Sequence, residues 1–329
     1  MLTIHQDHTI VLDTGRFNTV WAVAFHPDGI HLFGGSWDGL RRWRVAGGKE
    51  AGKQLGMDLT AISVSNDHRW ILCGTMEGAS VWDAKTLEKT IEVEGTNFVA
   101  AVDISPDSTR FATGTAEGDN KATIWDITTG GRLVGPLRCD NYTAGVKFSP
   151  DGGYIAVAVR DYPIQVFDSR SGDQLSTIRA SVPHWQPLTP LAWSNNGQQI
   201  FVACGDNKIK TFEVSTGSQL AETQVHDDGD VLSITLAANG KFLASIAGRS
   251  ILFWDVLTLT QIGSIVKDSQ EIRSIAVSPD CSHLAIGGSK GKITIRHLSD
   301  ILPDSYGPFH VSIHNIGFSD KLHVLVPIL

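Results

Sequence analysis

The feature that most constrains this chain is a repeat. One order of residues returns seven times along 329 positions. An alternating apolar stretch comes first, then a turn of the Ser-Pro-Asp-Gly kind. A second apolar stretch follows, then a Gly-rich turn, then a third stretch ending in an aromatic residue, often with an acid after it. The first turn stands at His26-Pro27-Asp28-Gly29, Ser65-Asn66-Asp67-His68, Ser105-Pro106-Asp107-Ser108 and Ser149-Pro150-Asp151-Gly152. It returns at Ser194-Asn195-Asn196-Gly197, Ala237-Ala238-Asn239-Gly240 and Ser278-Pro279-Asp280-Cys281. The third stretch ends at Trp43, Trp82, Trp125, Phe167, Phe212, Trp254 and Arg296, with separations of 39, 43, 42, 45, 42 and 42 residues. A fixed period of this size means that one supersecondary unit is stacked or arranged in a ring.

Between the turns the period is two. Val20, Ala22 and Ala24 alternate with Trp21, Val23 and Phe25. Both sets are largely apolar, so both faces of the strand must be covered. No stretch of more than a few residues carries a 3.6-residue period, and the chain reads as nearly all β. A lone three- or four-stranded sheet cannot bury both its faces. Arranged radially, each sheet covers its neighbours, and closure buries the first against the last. The expected fold is therefore an all-β β-propeller of four-stranded antiparallel blades. Hydrophobic residues at 42% and charged residues at 19% suffice for such cores and are unlike a disordered chain.

These residues resemble the WD-repeat family. Its signature dipeptide stands intact as Trp82-Asp83, Trp125-Asp126 and Trp254-Asp255, and is degraded to Phe167-Asp168 and Phe212-Glu213. The resemblance implies a buried network in each blade of a Ser or Thr, a turn Asp, a loop His and the Trp. No unit here retains all four. Unit one keeps Ser36, Asp38 and Trp43 but has Arg16 where the His would stand. Unit two has Thr75, Glu77 and Trp82 without a His. Unit six has His226 and Trp254 but Ala247, Gly248 and Arg249 in place of the Asp. Packing of Val, Ile, Phe and Trp is expected to hold the blades together. The repeat pattern looks most like fungal WD-repeat propellers of the NACHT-associated type, some of which form the ligand-sensing end of larger signalling proteins.

The units fall at about 16–55, 56–95, 96–138, 139–180, 181–224, 225–267 and 268–300, with strand 8–12 supplying the outer strand that closes the ring. Seven blades are expected, with eight as the alternative. Ile316-Gly317-Phe318-Ser319-Asp320 repeats the first strand and turn, and Leu2-Thr3-Ile4-His5 resembles a third strand. Residues 301–329 and the N-terminus would then share a split eighth blade. Pro303 and Pro308 count against this, because proline is poor in a paired strand.

No catalytic constellation stands out. There is no Gly-x-Ser-x-Gly elbow and no phosphate-binding glycine loop. His5 and His8 would point to opposite faces of a strand, and no metal site or cofactor is expected. Asp28, Asp67, Asp107, Asp151 and Asp280 are explained by turn chemistry. Cys73, Cys139, Cys204 and Cys281 never form a Cys-x-x-Cys pair and read as buried free thiols. A net charge of −8 argues against general nucleic-acid binding. No signal peptide or bilayer-length apolar run is visible, so a soluble protein of the cytoplasm or nucleus, monomeric on its own, is expected.

What remains is loop content. The resemblance implies that loops joining second to third strands share one rim with loops entering each first strand, and that this rim and the central channel receive partners. That rim would carry Trp37, Phe98, Tyr142, Tyr162 and Trp185, with Arg16, Arg41 and Arg160 on or near it. Aromatic residues and arginine dominate binding hot spots. The leading expectation is a non-enzymatic scaffold that binds a protein or peptide on this face. The alternative is a small-molecule or carbohydrate binder, or a hydrolase, at the channel, which would need convergent carboxylates or a metal there. A degenerate product without surviving function is the third reading.

Overall fold

The computed structural model describes residues 3–4, 9–14, 18–93, 98–116, 120–182, 189–225 and 231–307. These residues form seven antiparallel sheets, in six of which each strand is hydrogen-bonded to the next in sequence. Blade 1 holds Ala22–Phe25, His31–Ser36 and Gly39–Arg44, and its fourth position is occupied by an irregular segment bridged at Leu40–Leu55 and Trp43–Glu50. Blade 2 runs from Leu59–Val64 to Lys89–Val93, blade 3 from Val99–Ile104 to Arg132–Arg138, and blade 4 from Thr143–Phe148 to Gln174–Ile178. Blade 5 spans Leu191–Trp193 to Gln219–Gln224, and blade 6 Val231–Leu236 to Gln261–Lys267. Blade 7 holds Ile272–Val277, His283–Gly288 and Lys292–His297. The molecule is a seven-bladed β-propeller.

Closure comes from the N-terminus. Ile10–Asp13 pairs antiparallel with the third strand of blade 7, with Ile10 opposite Ile295 and Asp13 opposite Lys292. Thr3–Ile4 then pairs with Ile10 and Val11 and adds a fifth strand to that sheet. This corrects the idea that this segment builds part of an eighth blade, because the backbone partners of Thr3 and Ile4 lie in the sheet of the seventh; Leu2 and His5 lie outside the described residues. The repeated motif at 316–320 lies outside the described residues.

The core is divided as the radial argument requires. Each pair of adjacent blades encloses its own apolar cluster, seven among the described residues. The closing interface is filled like the others: Leu12, Ile293 and Ile295 pack against Val20, Val23, Leu32 and Trp43. Such sheets have no exposed apolar face left over, which explains the apolar residues at both phases of the period. Close approach needs glycine at particular places. A Cβ on Gly34 would lie 2.3 Å from Ile293 Cδ1 across the closure, and one on Gly114 would lie 2.4 Å from Thr143 in the next blade.

The repeated turns show why Ser and Asp recur two residues apart. In blades 2, 3, 4 and 7 the Ser hydroxyl donates to the Asp carboxylate at 2.5–2.6 Å. The same hydroxyl accepts the N–H five residues past the Ser, at 2.8–3.0 Å. The acid after the signature Trp does a parallel task at the opposite hairpin of the same rim. Asp83, Asp126 and Asp255 each accept the N–H groups two and three residues on.

A reduced polar network survives inside three blades. The indole N–H donates from Trp82 to Ser80, from Trp125 to Thr113 and from Trp254 to Ser245, at 2.8–3.0 Å. These hydroxyls differ from the one that alignment with the family suggests. Thr75 instead closes its own loop, donating to the Gly78 carbonyl and accepting the Gly78 N–H. The four cysteines are buried and free. Burial pushes the Cys204 thiol up to about 12 and raises Cys73 further, so neither presents a thiolate at neutral pH.

Candidate functional site

A blade has two ends, and they differ. The Ser-x-Asp turns and the hairpins after the signature acids form one rim, called here the turn rim. The links from second to third strands and the entries into first strands form the other, the loop rim. On the loop rim of blade 1, Trp37 is 55% exposed although it is a large indole. Its ring stacks on Trp21, with centroids 5.6 Å apart and planes at 29°. The Arg273 guanidinium of blade 7 lies 6.0 Å from the centre of the Trp21 ring and is paired with Glu271. Trp21 Nε1 is buried and has no hydrogen-bond partner among the described residues.

Asn18 and Gln54 brace this stack from below. The Asn18 amide donates to the Asp38 carboxylate, and the Gln54 amide donates to the Asp38 carbonyl at 2.6 Å. Bonds that hold Asp38 fix the loop beside Trp37, and a fixed loop loses less entropy when a partner binds.

Blade 4 carries the second cluster. The Arg160 guanidinium sits 5.7 Å from the centre of the Tyr142 ring, and the Arg160 N–H donates to the Tyr142 carbonyl at 2.9 Å. Arg160 also pairs with Asp161 at 3.4 Å. Tyr162, 41% exposed, follows in the same loop. Between the two clusters, half-buried Phe98 donates its N–H to the Met76 carbonyl, and the Met76 side chain is 43% exposed. Trp37, Met76 and Tyr162 thus mark an arc over blades 1 to 4. Arg41 lies apart from it, on a strand of blade 1, and is tied to Glu50 at 3.4 Å. Arg16 and Trp185 lie outside the described residues.

Sequence reasoning missed Trp21 and Arg273. Both sit in the apolar alternation of first strands, where nothing distinguishes a channel-mouth side chain from a core one.

The central channel has a volume of about 570 Å³ and is walled by the first strands of all seven blades. Its lining is mostly small apolar and hydroxyl side chains, such as Ala61, Ala101, Ser63, Ser233 and Ser274. The lining includes one carboxylate among the described residues, Asp103, and it is already paired. Lys147 donates to one oxygen at 2.7 Å and the Phe148 N–H to the other at 2.9 Å. Convergent carboxylates, which a channel hydrolase needs, are not gathered there by the described residues.

One group of side chains among the described residues could hold a metal ion: His26, Asp28 and His31, in the turn of blade 1. Burial opposes the charge on Asp28, but the His31 ring and the N–H groups of Ile30 and His31 hold its carboxyl down at about 2. The turn reading of Asp28 overlooked this group, because a two-and-five-residue spacing matches no metal motif.

Among the described residues no helix is long and apolar enough to cross a membrane. The geometry defines the class: a closed seven-bladed propeller with an aromatic arc on one rim. Sequence comparison adds relatives. Residues 6–40 and 86–126 match the WD domain, G-beta repeat family, and residues 183–247 match the anaphase-promoting complex subunit 4 WD40 domain. The chain is 24% identical over 200 residues to WD repeat-containing protein AAC3 of Dictyostelium discoideum, covering 59% of this chain and 41% of that protein. It is 24% identical over 238 residues to eukaryotic translation initiation factor 3 subunit I of Aspergillus terreus, covering 68% of each. It is 30% identical over 151 residues to COMPASS component SWD3 of Saccharomyces cerevisiae, covering 45% of this chain and 46% of that protein. The match thus spans less than half the length of the Dictyostelium and Saccharomyces proteins.

Proposed function

We propose that this chain is a non-enzymatic WD-repeat scaffold that binds a protein or peptide across its loop rim. The observation that carries this is the Trp37–Trp21–Arg273 stack. An exposed indole on a braced loop, stacked on a second indole beside a guanidinium, offers contact area at little entropic cost. Tyr142, Arg160, Tyr162 and Phe98 extend the face. Two relatives are named as a subunit and a component, which supports a place in an assembly. Arg16, Arg41 and Trp185 complete the proposed set.

Working location is the cytoplasm or nucleus, and the chain alone is a monomer. The likeness to fungal NACHT-associated propellers would make the face a ligand-sensing one. A nucleotide-binding module encoded in the same natural polypeptide tests that finer reading. The face itself is tested by affinity capture from the native cell with wild type, Trp37→Ala and Tyr162→Ala. Loss of the same partner from both variants is expected. An unchanged set of partners in both contradicts the reading.

A further inference from the structure

The seven turns of the turn rim act as controls for one another, and two depart from the Ser pattern: blade 6 has Ala237 at the first position, and blade 1 has a histidine. Five of them place Ser at the first position, where its hydroxyl bridges the turn acid or amide and the N–H five residues on. Blade 1 has His26 at that position and His31 five residues later. The turn folds the two imidazoles onto one carboxylate oxygen: Asp28 Oδ2 lies 3.0 Å from His26 Nδ1 and 2.8 Å from His31 Nδ1. Blade 7 has His283 at the second position but Ser278 at the first, so only one imidazole reaches its turn.

The hydrogen bonds around this group leave a conflict. His26 Nε2 approaches the His68 carbonyl at 3.3 Å and must carry the proton to bond it. The Asp28 N–H points at His26 Nδ1 at 3.2 Å, which needs a lone pair there. Both contacts select the neutral ring protonated on Nε2. Asp28 Oδ1 is occupied by the N–H groups of Ile30 and His31, at 2.7 and 3.0 Å. His26 Nδ1 and the remaining carboxylate oxygen thus lie 3.0 Å apart with no proton between them, and an ion placed there would take the Nδ1 lone pair from the Asp28 N–H. A backbone carbonyl that fixes the outer ring nitrogen is also what a metal-ligating histidine usually has.

We infer that His26 Nδ1, Asp28 Oδ2 and His31 Nδ1 form a binding site for a divalent transition ion of the zinc class. Two imidazoles and a carboxylate suit such an ion rather than magnesium or calcium. A tetrahedral ion with bonds of about 2.0–2.1 Å holds its ligands roughly 3.3 Å apart, so each Nδ1 needs to move from Oδ2 by only a few tenths of an ångström, and all three atoms lie within 4.8 Å of one another. The side chains are 11–24% exposed, which leaves a path for the ion from solvent. The ring of His68, in the matching turn of blade 2, lies 5.2 Å from that of His26. An ion here would sit at the far end of strand His31–Ser36 from Trp37, about 20 Å from the loop rim. The inference is independent of the function proposed above.

Zinc ion alone, titrated calorimetrically into the untagged full chain, tests this, with cobalt(II) absorption reporting the geometry. The wild type is expected to bind one equivalent and to give a tetrahedral cobalt spectrum. Asp28→Asn keeps the Oδ1 acceptor of the turn but replaces Oδ2 with an amide, so the fold should survive while affinity falls at least about tenfold. His31→Ala should lose at least as much, and Asp67→Asn in the matching turn of blade 2 should change nothing. A wild type that takes up no zinc, or an Asp28→Asn variant with native circular dichroism that binds as tightly as wild type, overturns the site.

Discussion

The two rims of the propeller are built from the same strands yet obey different rules. On the turn rim, five of the seven first turns use one Ser hydroxyl in the same way, and the acids after Trp82, Trp125 and Trp254 cap their hairpins alike. On the loop rim, the links from second to third strands carry Trp37, Met76 and Tyr162 in blades 1, 2 and 4, and Asp206, Arg249 and Lys290 in blades 5, 6 and 7. Repetition on one rim reflects a backbone problem that every blade shares. Variation on the other is what a surface freed from that problem permits. Blade 1 is where both patterns break, with two imidazoles on the turn rim and an exposed indole on the loop rim.

Substitutions along the axis from core to loop rim should show this as a gradient of stability. Phe242 is fully buried between blades 6 and 7 and meets Phe253 and Tyr306 edge-on. Phe242→Ala should cost about 3–5 kcal/mol, read from urea unfolding. Gly34→Ala places a methyl group against Ile293 at the closure and should cost about 1–3 kcal/mol. A loss below half a kcal/mol there would mean that the closing interface yields more easily than its packing indicates.

The turn rim should reveal itself through acid. The Thr128 hydroxyl and the Thr129 N–H hold Asp126 at about 2, below its ordinary 3.8. Asp83, Asp151 and Asp168 are lowered by the N–H groups and hydroxyls of their own turns. A carboxylate with a depressed folded pKa adds stability above its unfolded value and loses it as pH falls through the folded one. The unfolding midpoint should therefore be flat above about pH 5 and drop between about pH 4 and pH 2. Asp126→Asn, which retains an acceptor but cannot ionise, should make that drop shallower. An unchanged acid slope would place the sensitivity elsewhere. Trp37→Ala and Tyr162→Ala, at exposed positions, should shift stability by no more than about 0.5 kcal/mol at any pH.

The ring was legible in the sequence because one unit recurs, and the turns that punctuate it have a local chemical cause. The blade number was harder. Thr3–Ile4 and 316–320 both repeat motifs of the unit, and local pattern cannot say which sheet a strand joins. That is decided by register, which puts Ile10 opposite Ile295 and Thr3 opposite Val11. At the loop rim, Trp37 and Tyr162 could be named because loops are local. Trp21 and Arg273 could not, because their meeting needs blade 7 to lie against blade 1. His26, Asp28 and His31 sit close in sequence but converge only when the turn brings positions one and six together. Their chemistry was hidden behind the adequate turn explanation for Asp28.

The central claim is that partners dock on the loop rim. Amide hydrogen exchange of the chain with and without its captured partner tests it most directly. The account predicts new protection at Ser36–Gly39 and at 159–164, with the turns at 105–108 and 149–152 unchanged. Protection confined to those turns, with the loops exchanging as in the free chain, would contradict it.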